Sequence, residues 1–226
     1  MNIMTGCLAA TEGEVTIDGH DIFEEPLEAK KRIGYLPEIP PLYTDMTPTE
    51  YLRFIARARG FSGAEARKQM NAAMERARIT EVKDRLIRNL SKGYRQRVGI
   101  AQALIGNPEV IILDEPTAGL DPRQIIEIRE LIRELGKNHT VILSSHILSE
   151  VSAICDEILI LSGGRLVADD TPENLTALFA EQNGIHLTVK GALADVLSAL
   201  NGLEGVEIAD SREEDGRARL TLRAQD

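Results

Sequence analysis

Val110-Ile111-Ile112-Leu113-Asp114-Glu115-Pro116 is an apolar run that stops abruptly in two adjacent carboxylates. Branched aliphatic residues in succession, bounded by polar positions, read as a short buried strand. Such a strand carries Asp114 and Glu115 to the carboxyl edge of a parallel sheet, where open α/β folds bind their ligands. A strand ending in Asp-Glu is a weak signal alone, because any sheet protein can end a strand at a polar turn. The surroundings give it weight. Pro116-Thr117-Ala118-Gly119-Leu120-Asp121-Pro122 follows at once, Ser144-Ser145-His146 closes the series, and Leu90-Ser91-Lys92-Gly93-Tyr94-Arg95-Gln96-Arg97 precedes it.

Working outward, the pattern alternates. Arg123 to Gly136 reads as a helix, Thr140 to Leu143 as a second strand, and Leu148 to Cys155 as a further helix. Strands separated by helices of this length imply βαβ units and a parallel sheet. Glu157 to Leu161 and Arg165 to Ala168 flank Ser162-Gly163-Gly164, a hairpin signal. Thr171-Pro172-Glu173-Asn174 caps the helix after it.

Upstream, Arg32 to Glu38 reads as a short strand running into a loop, since Pro37, Pro40 and Pro41 exclude a helix. Thr47-Pro48-Thr49-Glu50 is a capping box with proline at the first helical position. Tyr51, Leu52, Phe54 and Ile55 then supply an apolar stripe. Ser62 with Glu65 is a second capping box, opening a helix from Ala64 to Ile79. Ser91 is a good N-cap for a helix through Gln96, Val98, Ile100, Gln102 and Leu104. Residues 47 to about 105 are therefore mostly helical between two β-rich regions, a helical subdomain inserted into an α/β core. Met1 to Ala10 has helical composition, and Thr11 to Gly19 reads as a strand with its turn. After Asn183-Gly184 a β-α-β-β order is expected, from Ile185–Val189, 192–200, 206–208 and 218–222.

Composition narrows the function. At 226 residues the chain can bury a full core, and 43% hydrophobic with 27% charged residues is ordinary for a globular protein. A net charge of −10 excludes reliance on phosphate neutralisation along a nucleic acid, so no nucleic-acid partner is expected. No apolar run approaches the roughly 20 residues that span a bilayer, and no signal peptide is evident. The chain is expected to be cytoplasmic, peripheral on the inner face of a membrane if it serves a membrane process. Cys7 and Cys155 are far apart and read as buried thiols rather than a disulfide or metal pair. His20, His139 and His186 lack partners at ligand spacing and read as surface residues. Glu24-Glu25 and Glu213-Glu214-Asp215 read as solvated loops.

In this order the motifs resemble the ATP-binding subunit of an ABC transporter: signature, Walker B with its glutamate, D-loop and switch histidine. The wording around Ile33-Gly34-Tyr35-Leu36-Pro37-Glu38, Pro41-Leu42-Tyr43 and the signature is similar to the ABC-2 exporter type, within it the gliding-motility-associated subunits. The resemblance implies ATP and Mg²⁺ as cofactors, with Asp114 on the metal and Glu115 polarising the attacking water. It implies that His146 contacts the γ-phosphate or that water. Ser91, Lys92, Gly93 and Tyr94 would meet a nucleotide held by a second ATP-binding subunit, and Asp121 would couple the two subunits. The commonest family form has glycine where Lys92 stands and glutamine where Tyr94 stands. Lys92 adds positive charge near a triphosphate, whereas Tyr94 loses an amide and its role stays open. Glu38 stands at the Q-loop glutamine, either as a second metal ligand or facing a membrane partner.

By the same resemblance, the fold is a P-loop NTPase-type α/β core with a parallel sheet and the inserted helical subdomain at about 45–105. A nucleotide-binding domain over residues 1–182 and a small α+β module over 185–226 are expected. No G-x-x-x-x-G-K-[ST] occurs in the 226 residues. The expected reading is an N-terminally truncated subunit whose phosphate loop lies upstream of Met1, its dimer closure driving a transmembrane permease. The alternative is a non-hydrolytic half that offers only its signature face to an intact partner.

Overall fold

The computed structural model describes residues 1–182, 185–201, 205–214 and 216–224. Its first ten residues form turns instead of the expected helix. Thr5 Oγ1 lies 3.3 and 3.2 Å from the carbonyl oxygens of Met1 and Asn2, and Gly6 takes φ 65°, which ends the helical run after one turn. The next strand is also shorter than expected. β1 (Thr16–Ile17) pairs antiparallel with β2 (His20–Asp21) around Asp18 and Gly19, both at positive φ as a tight primed hairpin turn requires. The Asp21 carboxylate accepts from the Phe23 and Glu24 amides and turns the chain into α1 (Pro26–Lys31).

β3 (Ile33–Leu36) follows, then α2 (Pro48–Ala58), opened by the full capping box between Thr47 and Glu50. Tyr51 and Leu52 are buried as expected, but Phe54 is exposed and tilts against Tyr43, ring centroids 5.4 Å apart. The second box does not form. Ser62 precedes α3 (Gly63–Arg76) without a side-chain cap, and Glu65 accepts from Gln69 instead. α3 also ends three residues early. Arg78 adopts φ 55°, its amide bonds the Glu75 carbonyl and the Ile79 amide reaches the Met74 carbonyl, a Schellman ending. Two 3₁₀ turns, Thr80–Val82 and Ile87–Asn89, lead to α4 (Lys92–Leu104), capped by Ser91.

β4 (Val110–Asp114) is the carboxylate-tipped run. It lies between β3 and β5 (Thr140–Ser144), parallel to both, and the helix α5 (Pro122–Gly136) connects it to β5. Ile111, Ile112 and Leu113 are completely buried, as a central parallel strand covered on both faces should be. Gly34 lets β3 approach α4 so closely that a Cβ there would strike the Ala103 carbonyl. α6 (Leu148–Val151) is shorter than the expected helix to Cys155; only a turn continues, closed from the Cys155 amide to the Val151 carbonyl. Val151, Ser152 and Ile154 are weak helix formers.

The chain divides into two compact units, Met1–Glu150 and Val151–Asp226. In the second, β6 (Ile158–Ser162) and β7 (Arg165–Asp170) form the expected hairpin, with Gly163 and Gly164 both at positive φ. Thr171 Oγ1 accepts from the Asn174 amide at the start of α7 (Pro172–Gln182). β8 (Ile185–Lys190), α8 (Leu193–Leu200), β9 (Val206–Glu214) and β10 (Arg217–Ala224) supply the β-α-β-β order. β10 is central, antiparallel to both neighbours, and its Ala218, Leu220 and Leu222 pack under Leu193, Val196 and Leu197 of α8. Asn183, Gly184 and Asp215 lie outside the described residues. Among those described, no helix is long and apolar enough to cross a membrane.

Candidate active site at the carboxyl edge of the parallel sheet

Parallel pairing sets Asp114 beside Ser144, the last residues of β4 and β5 in register. The Ser144 hydroxyl donates to Asp114 Oδ1 at 2.5 Å and accepts from the Glu115 amide at 3.0 Å. One hydroxyl thus fixes one carboxylate and the backbone of the next. Glu115 needs that support, because its φ of 47° lies in the left-handed region, where a side chain costs about 1–2 kcal/mol. The turn aims its carboxylate at His146, whose Nδ1 lies 3.0 Å from Oε1 and 3.1 Å from Oε2. Glu115 keeps 20% of its side-chain surface exposed and His146 keeps 72%. The bond to Glu115, and then its charge, hold the His146 pKa above the ordinary histidine value. The pair offers a carboxylate that can accept a proton from water beside an imidazole that can donate, open to solvent at a sheet edge.

The second group forms at a helix end. Ser91 accepts from the Tyr94 amide as N-cap of α4, and Asp121 accepts from the Gln124 amide as N-cap of α5. The two helix starts touch. Gly93 is buried so closely against Gln124 that a Cβ would come within 2.9 Å of its side-chain amide carbon, and the Lys92 ammonium lies directly over Gly119. Ser91, Lys92, Gly93, Gly119 and Asp121 are therefore one patch of this chain. Tyr94 points elsewhere. Its hydroxyl donates to the Glu81 carboxylate, and the Arg97 guanidinium, itself paired with Glu127, stands 5.9 Å from its ring centre. That contact turns it away from the patch.

Glu38 is exposed at a cleft of about 340 Å³ that Lys92, Arg95, Gln96 and Ala118 also line. The cleft brings Glu38 to the base of α4, and neither Asp114 nor Glu115 lines it. Among the described residues no three His, Cys, Asp or Glu side chains converge as a self-sufficient metal cluster. A magnesium ion needs only one or two protein carboxylates when phosphates and waters complete its shell. Asp114, oriented by Ser144 and with acceptor capacity left, fits that demand.

Ser144 is a site residue that sequence reasoning passed over; its signal was its place at a strand end two residues before His146. A buried polar group was also missed: Glu150, which accepts from the Thr117 hydroxyl. Two expectations are corrected. His139 is buried, its Nδ1 2.7 Å from the Pro108 carbonyl and its Nε2 3.1 Å from Arg76, because it seals the junction of α3 with the sheet. Cys7 is exposed and Cys155 only half-buried, since the amino-terminal turns leave Cys7 on the outside. His20 is half-buried, and the side chain of His186 lies outside the described residues.

Comparison with known proteins agrees with this fold. The chain is 33% identical over 207 residues to the linearmycin resistance ATP-binding protein LnrL of Bacillus subtilis, covering 91% of this chain and 67% of that one. It is 32% identical over 186 residues to the ABC transporter ced-7 of Caenorhabditis elegans, covering 82% of this chain and 11% of that one. It thus spans about two thirds of the first relative and a small part of the second. Among solved structures, cbiO1 from Clostridium perfringens, described as part of the ABC transporter complex cbiONQ, superposes with a TM-score of 0.71. The two share 30% identity, over 78% of this chain and 72% of that one. The family model described as ABC transporter matches residues 1–118, from the first turns through β4 and its carboxylates. With more than half its length in that match, the chain belongs to the ABC transporter ATP-binding family.

Proposed function

We propose that this chain is the nucleotide-binding subunit of an ABC-2-type exporter, and that its closure on a second ATP-binding subunit drives a transmembrane permease. Subunits of the family generally bind ATP with Mg²⁺ and work beside membrane permeases. The observation that carries the reading is the Glu115–His146 contact, 3.0 Å long, at the carboxyl edge of a parallel sheet. Phosphoryl transfer to water demands positioning and charge control rather than covalent chemistry. Glu115 accepts hydrogen from the attacking water, His146 orients it, and Asp114, held by Ser144, would hold the metal, with Glu38 the second candidate. Bound magnesium would supply neutralisation of phosphate charge. Ser91, Lys92 and Gly93 would present the amino end of α4 and one ammonium to a nucleotide on the opposite subunit, where a helix N-terminus favours anions, and Asp121 would couple the two subunits. We further assign residues 1–182 to the nucleotide-binding domain and 185–226 to an accessory module.

The test is Glu115→Gln in the assembled transporter. Turnover should fall by about two to four orders of magnitude while ATP-bound subunit pairs accumulate, since a transition-state contact is lost and ground-state contacts remain. Unchanged turnover would remove Glu115 from the mechanism. A second reading, in which the chain lends only its signature face to an intact partner, draws on the packing of Lys92 over Gly119. It predicts the opposite pattern: Glu115→Gln is silent and Ser91→Arg abolishes turnover.

A further inference from the structure

Outside the groups that face solvent at the sheet edge, one carboxylate among the described residues is buried. Glu150 keeps 9% of its side-chain surface exposed. Burying an ionised carboxylate is costly unless it is paired and hydrogen-bonded. Here Oε2 accepts from the hydroxyl of Thr117, itself buried, and Oε1 lies 3.8 Å from Nη2 of Arg129 on α5. That separation suits an ion pair and is too long for a hydrogen bond. The Arg129 Nε is buried without a hydrogen-bond partner, so the guanidinium is held beside the carboxylate rather than fully solvated.

The places of the two partners give the contact its meaning. Thr117 stands two residues after Glu115, and Glu150 four residues after His146. The same two segments therefore meet twice: through Glu115 and His146 on the outside, and through Thr117 and Glu150 inside. The outer contact joins a 72% exposed imidazole to a carboxylate and has little to hold it against water. The inner one is dry and charge-assisted, the stronger kind. Glu150 also bonds its own amide to the Ile147 carbonyl, closing the turn that begins directly after His146. On the other side, the Thr117 carbonyl accepts from the Leu120 amide, at the entry to Gly119 and Asp121.

We propose that Glu150 is a positioning residue. Its buried bond to Thr117 holds the His146 turn against Glu115 and fixes that turn to the segment leading to Asp121. A displacement of either segment is then passed to the other through this bond. The inference rests on the reading of Glu115 and His146 as the hydrolytic pair, but its test requires no hydrolysis.

The experiment uses the full chain with Thr117→Val, Thr117→Ser and Glu150→Gln, following histidine signals by NMR as pH is varied and backbone amide exchange by mass spectrometry. Thr117→Val removes the bond and no charge. It should bring the His146 midpoint down toward the ordinary histidine value, as the contact with Glu115 loosens, and speed exchange over residues 145–150 about tenfold, the scale of one charge-assisted bond. Thr117→Ser keeps the hydroxyl and should restore both. Glu150→Gln should speed exchange at residues 117–121 in turn. The groups facing His146 that could confuse the midpoint are Glu115, Glu150 and Glu38, and all three are intact in both Thr117 variants. A His146 midpoint and local exchange left unchanged by Thr117→Val, in a protein that still folds, would overturn the proposal. A changed midpoint in a transporter whose Glu115→Gln variant turns over normally would keep the proposal and sink the hydrolytic reading.

Discussion

His146 holds its proton to higher pH in the folded chain than when unfolded, because the Glu115 carboxylate accepts from its ring. The stabilisation this contact gives is fully present below the ordinary histidine value and is lost as pH rises through the raised folded value. His146→Asn should therefore lower the melting temperature slightly at about pH 5.5 and leave it unchanged at about pH 9. Equal losses in two thermal scans at those pH values would show that the imidazole packs rather than pairs. Ser144 makes a different prediction. Ser144→Ala leaves Asp114 unoriented and the Glu115 amide unpaired in its left-handed turn, at a cost of about 1–3 kcal/mol by denaturant titration. Replacing Ser144 with Thr, which keeps the hydroxyl, should recover most of it.

Among the elements, α2 and β3 carry the clearest consequences. The Thr47–Glu50 box satisfies the α2 start reciprocally, so Thr47→Ala should cost about 0.5–2 kcal/mol in chemical denaturation. Gly34→Ala should cost at least as much, about 1–3 kcal/mol, because the obstacle is the Ala103 backbone carbonyl and not a side chain that can swing away. If Gly34→Ala is neutral by the same measurement, α4 is free to slide on the sheet. Capping was legible at Thr47-Pro48, at Ser91 and at Thr171-Pro172, and misleading at Ser62. There Glu65 found Gln69 one turn on, a pairing of equal sequence plausibility.

For the whole molecule, the joined helix starts at Ser91 and Asp121 predict where damage is felt. Ser91→Arg should weaken nucleotide-dependent pairing with the second subunit more than nucleotide binding by one, as read by light scattering against calorimetry. The reverse order of effects would move the patch to a site within one subunit. What the sequence determined by itself is the set of elements with strong local signals: the β4 run and its two carboxylates, the capped helices α2 and α4, and the Gly163-Gly164 hairpin. Each is settled by neighbours within a few residues, through burial periodicity, a cap or a positive φ, so no distant information was needed. The tertiary structure alone decided the partnerships across long separations. Ser144 bridges Asp114 and Glu115 because β4 and β5 pair in register, Lys92 covers Gly119 because two helix starts abut, and His139 is buried because α3 ends against the sheet. Those contacts join residues about 30 to 60 positions apart, and an isolated hydroxyl, ammonium or imidazole carries no local mark of the partner that packing will give it.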